Sequence, residues 1–174
     1  MKKKSPAAFG IFLGIYCVLF VAGSVQQEDV KARIKEATGI FLGPADPSVR
    51  SARILKSILD LLDIAADLTP ESQYKADILY RIDVAKDLFQ KEMFNEKARQ
   101  YLSLAYRQIT NGKKYERPEE LDEFVTPAEA MEKARKYGQK LVESALAEID
   151  AGKQGEAARI LLELVLMIVT PISG

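Results

Sequence analysis

Asp60, Asp63 and Asp67 stand at i, i+3 and i+7 in an apolar-periodic stretch, so a helix there lines three carboxylates along one side and offers oxygens to a cation. Glu119, Glu120, Asp122 and Glu123 form a second acidic group. Neither follows the pattern of a dedicated metal site. Metal centres in helical bundles join Glu to Glu-x-x-His, and calcium loops need a glycine and alternating ligands. The chain has no His. Both groups read as solvated acids, the second suiting a helix start through the macrodipole. No metal ligand and no cofactor are expected.

The lack of His, with Cys17 as the single cysteine, also removes His-activated nucleophiles, Cys/His zinc sites, haem attachment and an intrachain disulfide. No phosphate loop or Gly-x-Ser-x-Gly elbow occurs. No catalytic residue is therefore assigned, and an enzyme ranks third among the functions considered. Tyr101 and Tyr106 are candidates to line a ligand groove, weighed against core packing with the hydroxyl at the surface.

The elements that must position these residues follow from charge and periodicity. Lys+Arg and Asp+Glu both number 25, but Lys2, Lys3 and Lys4 precede every acid. Residues 25–174 thus hold 22 basic groups against 25 acidic ones, three negative net. Nucleic acid is not expected as a partner, because phosphate binding needs a basic surface. The 23 residues from Ser5 to Gln27 carry no charge. As a helix they reach about 35 Å, enough to cross a bilayer core. They equally fit a secretory signal, with Ala22-Gly23-Ser24 before a cleavage at Val25. Segment 1–24 is read as a signal peptide or membrane anchor, touching the membrane through residues 6–24 if uncleaved. In both cases the lysines hold the N-terminus in the cytoplasm. Residues 25–174 are then exported, to a periplasmic or extracellular space. Cys17 follows Tyr16, where a lipid-attachment signal needs a small residue, so it reads as an apolar side chain.

The exported part reads as all-α, with antiparallel helical hairpins at about 28–41, 47–68, 70–92, 95–111, 127–150 and 154–169. Asp46-Pro47, Thr69-Pro70 and Thr126-Pro127 look like helix starts, a capping side chain followed by proline at the first turn. Asn95 is a further cap, and Gly112 and Gly152 are stops. Between 113 and 125 a crossover contains Leu121 and Phe124, three apart, which a brief turn can pin to the core. Longer loops of this kind also serve recognition, which makes Phe124 a candidate partner contact.

Residues 94–110 align with 154–170 at a constant offset of 60, with Glu96/Glu156, Ala98/Ala158, Arg99/Arg159, Leu102/Leu162 and Thr110/Thr170 identical. Ala145 to Ala158, with Gly152 at its turn, resembles a tetratricopeptide repeat, and Ala85, Ala98, Leu102 and Ala105 resemble a weaker copy with Glu92 in place of the glycine. The resemblance, over about residues 85–171, implies a scaffold that binds protein or peptide and brings no catalytic residues.

Ile160 to Val169 is apolar on every face except at Glu163. Such a helix must be surrounded. It is either the centre of the domain or, through Leu162 and Leu166, half of an interface with a partner or a second copy. The sequence reading is an exported interaction module binding protein or peptide, with a bundle holding a small apolar ligand as its alternative.

Overall fold

The computed structural model describes residues 26–39, 50–123 and 126–170. Helix α1 covers 26–39. It is followed by α2 (Arg50–Asp67), α3 (Lys75–Lys91), α4 (Glu96–Ile109), α5 (Pro127–Asp150) and α6 (Gln154–Val169). A single 3-10 turn, Glu119–Leu121, interrupts the crossover from α4 to α5. No strand occurs among the described residues. None of their helices is long and apolar enough to cross a membrane. The signal or anchor at 1–24 and the Asp46-Pro47 start lie outside them.

Two of the expected caps form as the residue types dictate. The Asn95 side chain accepts from the Ala98 N–H at 3.0 Å. Thr126 accepts from the Glu129 N–H at 3.2 Å, with Pro127 opening α5. Gly112 and Gly152 end α4 and α5 at φ of +103° and +73°, where a Cβ would be strained.

Thr69-Pro70 behaves differently. Thr69 is buried and turns its hydroxyl back to the Ala65 carbonyl at 2.9 Å, closing α2 rather than opening α3. Pro70 lies against Gly155 at the start of α6, where an added Cβ would stand 3.2 Å from its Cγ. The chain therefore turns through 71–73, and α3 begins at Lys75 with no side-chain cap. Tertiary contact at Pro70 outweighs the local helix-start preference.

Helices α3 and α4, joined by four residues, and α5 and α6, joined by three, pack as antiparallel hairpins. Helix α6 also lies against α2 and α4, so neighbours cover it on several sides. From Ile160 to Val169 every apolar residue except Ile168 is buried. Fully burying one such side chain is worth about 1.5–3 kcal/mol, which makes α6 the centre of the core. Leu162 and Leu166 are both at 0% exposure. This corrects their reading as partner contacts, because the folded chain presents neither at its surface.

The crossover is strapped to this core. Leu121 is buried, and Tyr115 meets Tyr106 edge-to-face at 6.0 Å between ring centres. The Arg117 guanidinium donates to the Met167 and Thr170 carbonyls at 3.4 and 3.3 Å. A cation there complements the C-terminal end of α6. Phe124 lies outside the described residues.

Candidate functional site

The α3–α4 hairpin buries Ile78, Ile82, Ala85 and Phe89 from one helix and Ala98, Leu102, Ala105 and Tyr106 from the other. Its outer side is left as a cleft of about 430 Å³. Tyr74 and Arg81, seven apart, line one wall; Leu104, Gln108 and Asn111, at i, i+4 and i+7, line the other. Arg107 and Gly112 complete the lining at the end of α4. Tyr74 and Leu104 are 47% and 43% exposed, large apolar side chains that the core does not claim.

Asp77 ties the two walls together. Its Oδ2 accepts from the Gln108 side-chain amide and from Arg81 Nε and Nη2 at 3.1 and 3.0 Å. The amide, and then Arg81, hold the Asp77 carboxyl below the usual carboxylate range. The other amide atom, Gln108 Oε1, is buried with no hydrogen-bond partner. Arg107 donates from Nε to the Gly112 carbonyl at 3.3 Å. The turn beneath it holds Asn111 at φ +54° and closes with the Gly112 N–H on the Arg107 carbonyl at 2.8 Å. None of the lining side chains is a carboxylate, imidazole or thiol, the groups that most readily move protons near neutrality.

A second polar cluster joins α4, α5, α6 and the crossover. Glu163 accepts from the Tyr137 hydroxyl at 3.2 Å and from Arg159 Nη1 at 2.8 Å. Arg159 also reaches Glu156 through Nε at 2.8 Å. Burial opposes the Arg159 charge, but its bonds to Glu156 and Tyr106 and the nearby Glu163 carboxylate outweigh that and raise its pKa. Burial, reinforced by Glu163, pushes the Tyr137 hydroxyl up to about 12. Burial raises the Tyr115 hydroxyl as well, against the opposing Arg117 charge, and that hydroxyl has no hydrogen-bond partner. These groups join elements inside the fold and fill the only charged position of α6 between Ile160 and Val169.

The residues singled out from sequence do not meet in one site. Tyr106 is buried and Tyr101 packs partly buried against the core, so neither lines the α3–α4 cleft. Asp60, Asp63 and Asp67 have separate cationic partners in Lys56, Lys86 and Arg33. Among the described residues no group of three or more acidic or cysteine side chains is placed to hold a metal ion. The cleft residues carry helical spacing in each segment, yet bringing 74–81 beside 104–112 requires the hairpin register. No protein-family model matches the sequence, and no curated protein or solved structure is significantly similar to it.

Proposed function

We propose that the chain is an exported helical interaction module, with residues 25–174 behind a signal or anchor at 1–24, that binds a protein or peptide segment in the α3–α4 cleft. One observation carries this reading: Tyr74 and Leu104 stand half exposed in a cleft that also holds two guanidinium groups. Apolar anchors ringed by a few fixed polar groups are what peptide grooves use. Export is supported by Lys2–Lys4 followed by 23 uncharged residues. A tetratricopeptide-like design of α3/α4 and α5/α6 is supported by Ala98 and Ala158, matched positions that are both fully buried.

The test is site-specific photocrosslinking in the cells that make the protein. A photoreactive residue in place of Leu104 should give an adduct of defined mass, and one in place of exposed Lys140 on α5 should not. No adduct from position 104, or the same adducts from both positions, would remove the cleft as the binding surface.

A further inference from the structure

Resting on that reading, we infer that the α3–α4 cleft takes an acidic peptide segment, with a carboxylate held at Arg107 and a neighbouring aromatic or aliphatic side chain set between Tyr74 and Leu104. Residues 25–174 are net acidic, and in two other clefts the lining cations, Arg33 and Lys56, stand among the carboxylates of Asp29, Glu36, Asp60, Asp63 and Asp67. At the cleft the balance reverses. Arg107 bonds a backbone carbonyl and makes no ion pair among the described residues, and Lys113 and Lys114, both exposed, follow Gly112 without one. Arg81 shares a single oxygen of Asp77 with Gln108.

A cation in the last turn of α4 is partly accounted for by the helix dipole, equivalent to about half a charge. The dipole does not require two further lysines beyond the end of the helix. Arg107 thus lines the cleft without a carboxylate, Lys113 and Lys114 follow it in the chain, and Tyr74 and Leu104 add apolar surface to the same cleft. The volume, about 430 Å³, lies within the range of ligand sites. An anionic lipid headgroup would use the cations but would leave the apolar pair unused, which favours a peptide.

The test uses the full chain and a short fluorescein-labelled peptide of Glu, Leu and Phe, read by anisotropy. Its Gln and Lys counterparts and phosphatidylglycerol vesicles serve as competitors. The Glu peptide should bind, weaken as salt is added, and lose about tenfold or more in affinity to Arg107→Glu, with Arg107→Gln falling between. Circular dichroism on each variant verifies the fold. Equal binding of the Gln peptide with no effect of Arg107→Glu would overturn the acidic ligand while leaving the interaction module standing. Preferential displacement by the vesicles would reassign the cations to lipid and overturn it. So would self-association through the acids at 119–123 of a second copy. If no peptide binds and position 104 gives no adduct, both readings fall.

Discussion

Glu163 is the one charged residue between Ile160 and Val169, and its carboxylate is tolerable in the central helix because Arg159 and Tyr137 both donate to it. A charge that far inside a fold is costly unless it is paired and hydrogen-bonded. Replacing Tyr137 with Phe deletes a bond to a charged acceptor and should lower stability at neutral pH by about 1.5–3 kcal/mol. The alkaline limb tests the same contact. Tyr137 ionises near 10.0 when unfolded and near 12 when folded. Between those values the unfolded chain gives up its proton while the folded chain keeps it, so the contribution is whole below pH 10 and is lost as pH rises through 12. The stability gap between wild type and Tyr137→Phe, from denaturant melts at successive pH values, should narrow across that window. A gap that stays constant to pH 12 would show that the hydroxyl does not hold its proton against Glu163.

At the scale of elements, the repeat reading expects small residues where the helices of each hairpin meet. Ala98 in α4 and Ala158 in α6 are both fully buried, sixty positions apart at matched places in their helices. Leu at either position should overpack the contact, costing about 1–3 kcal/mol and lowering the melting temperature. Ala147→Leu, at an exposed site on α5, should be near neutral in the same calorimetric series. Insensitivity at both 98 and 158 would mean that the matched alanines do not set the helix spacing. These elements were legible in the sequence because caps and periodicity are local: Asn95, Thr126, Gly112 and Gly152 act where their types predict. Thr69-Pro70 was misleading for the opposite reason. Its role is decided by Gly155, more than eighty residues away, and no local pattern records that contact. The cleft was illegible in the same way. Tyr101 and Tyr106 drew notice as aromatics, yet Tyr106 faces the core, and the exposed pair, Tyr74 and Leu104, belongs to separate helices.

At the scale of the whole molecule, α1 joins the bundle beside the turn from α5 to α6. Gln27 donates from Nε2 to the Ile149 carbonyl at 3.3 Å, and Lys31 pairs with Asp150 at 2.9 Å, so α1 starts against the turn from α5 to α6. Arg33 reaches Asp67 at the end of α2, and Val30, Ile34 and Ala37 join the common core. In sequence, the uncharged run that follows Lys2–Lys4 reaches into the first turn of α1. Exported and cytoplasmic placements of the bundle then become mutually exclusive outcomes of one fusion. The lysines precede the uncharged run, so a reporter joined after Gly174 should be active if it works only on the exported side, and silent if it works only in the cytoplasm. Lys2, Lys3 and Lys4 together replaced by Glu should weaken that bias, since basic residues orient such a segment and acids contribute little. Mass spectrometry of the N-terminus in the same cells separates the two exported forms, Val25 for a cleaved signal and the intact start for an anchor. Cytoplasmic activity of the wild-type fusion would overturn export and leave the α3–α4 cleft to be tested against cytoplasmic peptides.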